Sequence, residues 1–382
     1  MGYSTPYFIY VLVLLLIFAL LNVKAVRNSL SNILTLIVAL SFVIFFGCAG
    51  YVQIDCLNYL GLYEELPTWG NGILSFISES HFDSFYLMYL SIFKTIGLNY
   101  SSYEFINTIV DVCLLFCILR RYLPNHLYPI FLIVFMAYQG LEFEFNLQRN
   151  TKAIFLFLLS IPYIEQRRWQ PFFILNTIGF LFHWSALCFF PLYFFIHKKL
   201  TRSSFFSILV ISIVLAVISK TIILDLVNVF GKLLPESVGS NILKYISLER
   251  YNNATGLKLY DIERFVWAFI IGLSYNKLVS YNSKYVILLN LFCCYMLAFS
   301  LGKGMSIIES RIGMLFIPSY WVLIVSILHV EKTKVKIIIV TILILLSISH
   351  IYLITKGDIF FEYDNYIFSE QMIPLETRLE RY

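Results

Sequence analysis

Leu30–Val52 reads LSNILTLIVALSFVIFFGCAGYV, without a charged residue, and runs directly into Gln53-Ile54-Asp55-Cys56-Leu57-Asn58-Tyr59-Leu60-Gly61-Leu62-Tyr63. A lipid-spanning helix needs about 20 apolar residues, and Leu30–Val52 meets that length. Working outward, similar apolar runs recur at Tyr7–Val23, Phe105–Leu119, Leu127–Leu141, Ala153–Ile164, Phe205–Ser219, Ile262–Tyr275, Tyr285–Leu301, Ile312–Leu328 and Ile337–Ile354. Hydrophobic residues make up 59% of the 382, and charged residues only 13%, against the roughly 25% charged of a soluble domain. Mean hydropathy is +0.80. A soluble enzyme, a disordered chain and a nucleic-acid binder are excluded. The expectation is an all-α polytopic membrane protein of about ten full spans. It forms one transmembrane domain, 1–382, because no repeat, linker or soluble segment interrupts it. The first span follows no basic region and precedes no small-residue cleavage site, so it reads as a retained helix.

Lys and Arg in short loops set the orientation. Six basic clusters, from Lys24/Arg27 to Lys332/Lys334/Lys336, all face the cytoplasm if two conditions hold. Phe82–Gly97 must not cross, so that it lies as a juxtamembrane helix in an outer loop of about 53–104. Phe172–Phe195 must enter and return, as a broken hairpin with His183-Trp184-Ser185 at its tip. About eleven residues flank that break on each side and, at about 1.5 Å per residue, reach only half-way across. Both termini then face outward, with further outer loops at about 231–261 and 302–311 and an outer tail at 356–382.

Charged groups at membrane depth are costly and are functional candidates by default. If the stretch after the second span is helical, Asp55, Asn58, Tyr59 and Tyr63 share one face. There the carboxylate can orient or deprotonate a sugar hydroxyl, with Tyr59 and Tyr63 contacting the sugar; the plainer reading of Asp55 is a helix cap. Arg149 and Lys152 open the helix that begins near Asn146, and a guanidinium, an ammonium and free backbone N–H groups suit a diphosphate. The alternative is an interface anchor. His183 is a candidate base or a packed core residue, and Arg311 is either an anion ligand or the partner of Glu309. The seven cysteines lie mostly in apolar segments without CxxC spacing, so no disulfide framework, metal site or other cofactor is indicated. No nucleotide-binding motif is present.

These pieces together resemble the EpsG/Wzy-type polysaccharide polymerases of bacterial envelopes, over about Phe46–Arg311. The likeness lies in Asp55 and Tyr59 as D-x-x-x-Y, in Ser84–Tyr89, in the helix opened by Arg149, in Arg167/Arg168, in Phe182-His183-Trp184-Ser185-Ala186-Leu187 and in the late Arg311. The Phe-His-x-Ser-Ala-Leu element is the most specific. Two departures stand out: Gly47-Cys48-Ala49-Gly50 occupies the place of an upstream Arg, and Ser80-His81-Phe82-Asp83 lacks a Glu, with Asp83 in its stead.

The resemblance implies a GT-C-like, metal-free glycosyltransferase in the bacterial cytoplasmic membrane. Its substrates would be undecaprenyl-diphosphate-linked oligosaccharides, its surroundings membrane lipid, and its partners the flippase and chain-length regulator of the same pathway. Arg149, Lys152 and Arg311 would hold the leaving diphosphate, and His183 or Asp55 would take the acceptor's proton, with His183 preferred. A lipid-linked oligosaccharide flippase needs a charged cavity but no base, and usually two related halves, which are not visible here. An O-antigen ligase shares the chemistry and differs in acceptor.

Overall fold

The computed structural model describes residues 3–80, 82–230, 259–304 and 309–369, and positions 373, 377 and 380. The expected outer loop 231–261 lies almost wholly outside the described residues, as do part of the 302–311 loop, the side chain of Glu309 and most of the tail's end. Among the described residues the chain is helical, and its one extended pairing is the bridge between Ala49 and Asn365. Among the described residues, eight helices are long and apolar enough to cross a membrane, and they coincide with eight of the ten runs read from the sequence. The other two runs fall in helices below that threshold. One of these, the helix Gln148–Glu165, is buried along most of its length and is enclosed by protein rather than by lipid. It can therefore carry polar residues that a lipid-facing helix could not.

The chain divides into two compact units, 1–193 with 337–382, and 194–336. In the first, α1 (Thr5–Asn22) packs on α2 (Lys24–Phe42), which ends in a π turn at Val43–Gly47. Three short helices follow: α3 (Ile54–Glu65), α4 (Ile73–Glu79) and α5 (Ser84–Thr95). The last of these, 12 residues long, occupies the stretch Phe82–Gly97 expected not to cross. Next come α6 (Tyr100–Tyr122), α7 (Tyr128–Phe135), α8 (Leu141–Phe145), α9 (Gln148–Glu165) and α10 (Trp169–Phe182). Between α7 and α8 the backbone leaves helical geometry at Tyr138 and Gln139, where Gln139 takes φ +70°. That kink redirects the chain so that α8 delivers two glutamates beside α9.

α10 stops at Phe182 because His183 is extended (φ −157°, ψ 127°) and a 3-10 turn, Trp184–Phe189, follows. The break expected from His183-Trp184-Ser185 is present. A last short turn, α11 (Leu192–Phe195), completes the segment. The second unit holds α12 (Arg202–Phe230), α13 (Leu259–Leu273), α14 (Tyr275–Tyr281), α15 (Tyr285–Gly302) and α16 (Met314–Val330). α12 packs on α13 and α15, and α15 on α16. A buried ion pair, Lys303 with Asp261 at 2.8 Å, fixes the end of α15 there.

α17 (Thr333–Thr355) leads back to the first unit, where the tail is stitched to the loop before α3. Gly50 N–H donates to Asp364 O, Gln53 N–H to Phe360 O, and Tyr366 N–H to Cys48 O. The Tyr7 hydroxyl donates to Phe361 O at 3.1 Å. Close approach of α2's end to α6 depends on Gly47: a Cβ there would lie 3.1 Å from Thr108 Cβ and 3.2 Å from Phe105 Cα. Gly47→Ala is therefore expected to cost about 1–3 kcal/mol by overpacking. Thermal unfolding of the purified protein in detergent checks this, and an unchanged midpoint would mean that the two helices are free to separate.

Candidate functional site

The first turn of α9 is where the candidate residues meet. Arg149 reaches α5, and its Nη1 donates to Asp83 Oδ2 at 2.6 Å, with both side chains about one-fifth exposed. The guanidinium lies over the Phe82 ring at 4.8 Å and the Tyr86 ring at 5.8 Å, a cation–π cradle that keeps it flat. The Tyr59 hydroxyl is also a hydrogen-bond partner of Arg149. The Nε of Arg149 is buried and has no hydrogen-bond partner. Asp83 additionally accepts from the backbone N–H of Trp184. Burial raises the Asp83 carboxyl above the ordinary carboxylate range, and Arg149 and that N–H only partly offset it.

The turn after α10 is tied to the same place. His183 is 9% exposed, and its Nδ1 accepts from the Ser185 backbone N–H at 3.1 Å. The Ser185 hydroxyl donates to Asn150 Oδ1 at 2.8 Å, so the turn docks on the residue after Arg149. Phe182 packs edge-on against Phe85 and Tyr89 of α5. With Nδ1 accepting, a neutral His183 ring carries its proton on Nε2. In this arrangement the imidazole holds the turn through Nδ1.

Lys152 does not share Arg149's open side. Only 3% of its side chain is exposed, and Nζ donates to Asp111 Oδ2 of α6 at 2.5 Å. The two residues are three apart, about 60° around the helix, and that angle is enough to send one to α5 and the other into the core. Arg311 stands on the second unit, exposed, in the π turn Glu309–Gly313 before α16.

Asp55 lies in the first turn of α3, partly exposed, and accepts from Asn58 Nδ2 at 3.3 Å. Tyr59 and Tyr63 are 5% and 4% exposed, which disagrees with the expectation of an open sugar-binding face. The Tyr59 hydroxyl donates to Asn146 O at 3.3 Å and that of Tyr63 to Leu98 O at 2.9 Å. α5 covers this face of α3, so both rings belong to an aromatic layer with Tyr86, Tyr100 and Tyr103. Burial raises the Tyr59 phenol above its ordinary value, while Arg149 opposes the shift. Just before α3, Gln53 takes φ +69°, a strained geometry for a non-glycine residue. Its side chain is held by Asn146 Nδ2 at 3.0 Å.

The EpsG family model matches residues 32–368. The chain belongs to the EpsG family. It is accordingly a membrane protein of the polysaccharide-polymerase type. No curated protein and no solved structure matches it.

In this EpsG-family chain several site residues escape a reading by motif. Gln148 accepts from the Tyr86 and Tyr103 hydroxyls and donates to Glu104. Glu144 and Asp111 are buried beside it. A signal for two of these was present: Asp111 is a lone acid inside an apolar run, and Glu144 lies at the end of another. An acid in a span calls for a partner, and Lys152 is that partner for Asp111.

Breaking a buried pair by removing one member costs roughly 3–5 kcal/mol, whereas replacing both by apolar residues is often neutral. Lys152→Ala should therefore unfold markedly earlier than wild type, and Lys152→Met combined with Asp111→Leu should recover most of the loss. Thermal melts of the purified variants test this, and a wild-type melt for Lys152→Ala would contradict a structural role.

Proposed function

We propose that the protein is a membrane polysaccharide polymerase. It transfers a glycan chain from polyprenyl diphosphate to a lipid-linked repeat unit at the outer face of the bacterial cytoplasmic membrane, on a GT-C-like architecture. The acceptor hydroxyl attacks the anomeric carbon of the donor sugar, the bond to the diphosphate breaks, and the diphosphate leaves with the electron pair. No metal is assigned to this step, so the developing charge needs fixed donors.

The observation that carries this reading is the state of Arg149. Its guanidinium is held flat at the start of a helix, faces a carboxylate, and keeps one buried N–H without a partner. Asp83 is a two-oxygen anion disfavoured by burial, and a phosphate can take its place on the same fork. Displacing Asp83 also releases the Trp184 N–H, which lies one residue from His183. Leaving-group binding and the His183 turn are thus coupled through one carboxylate. Asp55, a partly exposed carboxylate in the first turn of α3, orients the acceptor hydroxyl and takes its proton, while His183 holds the turn next to Trp184. Lys152 acts by fixing α9.

Arg149→Lys keeps the charge but loses the bidentate fork. Loss of one transition-state donor typically costs on the order of 10²–10³ in rate. Turnover of a purified lipid-linked repeat unit should fall by that order in Arg149→Lys, and cells carrying it should show polymer collapsed to single repeats on a gel. Normal chain length at normal expression in both Arg149→Lys and Arg149→Ala would reduce Arg149 to an interface anchor.

A further inference from the structure

A second polar recess lies in the first unit, where the loop after α2, the start of α6, the end of α8 and the tail come together. It encloses about 20 Å³ and is lined by Tyr51, Tyr100 and Tyr366 and by Glu104, Glu144 and Gln148, among others. Glu144 is the anomaly in it. The residue is 8% exposed, and its Oε1 is buried with no hydrogen-bond partner. Buried polar atoms are almost always satisfied, so such an atom calls for a guest.

None of the neighbouring donors is bonded to that atom, and most are engaged elsewhere. Lys152 Nζ is bonded to Asp111. The Gln148 amide donates to Glu104, and its oxygen takes the Tyr86 and Tyr103 hydroxyls. Tyr100 is a side-chain hydrogen-bond partner of Glu104. The charged groups facing Glu144 are Asp111, Lys152 and Glu104. Two further carboxylates against one ammonium exclude an anion. Among the described residues, no three His, Cys, Asp or Glu side chains cluster as metal ligands. The volume admits about one water-sized group, which fits a hydroxyl or the end of a hydroxymethyl arm and excludes a sugar ring.

We infer that this recess receives one hydroxyl of the acceptor glycan, with Glu144 as its hydrogen-bond acceptor. A carboxyl set among aromatic rings suits such a group, because its free oxygen accepts the hydroxyl's hydrogen and the rings cover the C–H faces. The location agrees: Gln148, which lines the recess, and Arg149 are consecutive residues of one helical turn, so the two sites flank the start of α9. The inference rests on the polymerase reading, and it assigns Glu144 to specificity rather than to the leaving group.

The test uses full-length protein in lipid nanodiscs, with two probes: a lipid-linked repeat unit, and undecaprenyl diphosphate without a glycan. Glu144→Gln keeps the shape and an acceptor oxygen, and Glu144→Leu removes the acceptor. Repeat-unit affinity should stay within a few-fold in the first and fall about tenfold in the second, by loss of the hydrogen bond. Binding of the glycan-free lipid should be unchanged in both. Thermal unfolding of Glu144→Leu should match or exceed wild type, because a buried polar group without a partner has been removed. Unchanged repeat-unit affinity in Glu144→Leu would overturn the inference, and so would earlier unfolding with equal loss of both probes, which marks a structural residue. Arg149→Lys separates this from the reading beneath it. If it binds the glycan-free lipid normally, the diphosphate assignment fails whatever Glu144 does.

Discussion

The site depends on a pair of opposite charges buried in an apolar bundle. Lys152 and Asp111 each pay a large desolvation penalty, and only their mutual contact makes either tolerable at that depth. That requirement fixes the rotation of α9 against α6 more tightly than apolar packing would, since a small slip leaves two unpaired charges. With α9 so oriented, Arg149 one turn earlier must face α5, and Gln148 must face the recess beside Glu104. The helix N-terminus that an anion would use is thereby presented in one orientation.

Around that turn the polar contacts form a relay with few members. Asp83 bridges α5 to Arg149 and to the Trp184 N–H, and Ser185 bridges the broken hairpin to Asn150. His183, at the break, holds the turn through its Nδ1. An anion that displaces Asp83 therefore acts on three segments far apart in sequence. The tail contributes by pinning the loop before α3 through Asp364, Phe360 and Tyr366. This keeps the strained Gln53 in place, and with it the amide contact to Asn146.

Much of this was legible in the sequence, for identifiable reasons. Spans follow from long uncharged runs, and the helix break at His183 follows from a polar triplet in an apolar segment too short to cross twice. Arg149 stands out because a cation beside an apolar helix needs an explanation. What could not be read is which side chain meets which across the fold. Helical spacing put Arg149 and Lys152 on one face, but long side chains diverge, and the partner of Lys152 lies 41 positions away in sequence. Tyr59 and Tyr63 have the spacing of a binding face, yet α5 folds over them, and nothing local to α3 reports that cover. Glu144 carries no motif, only its place at the end of an apolar run. Its unsatisfied oxygen shows only in the fold.

The central claim is that Arg149 receives the diphosphate in exchange for Asp83. A cryo-EM map of the protein in lipid nanodiscs with undecaprenyl diphosphate tests it most directly. The account predicts phosphate density at hydrogen-bonding distance from the Arg149 guanidinium, with the Asp83 carboxylate moved off it. An intact Arg149–Asp83 pair, with the diphosphate bound elsewhere, would contradict it.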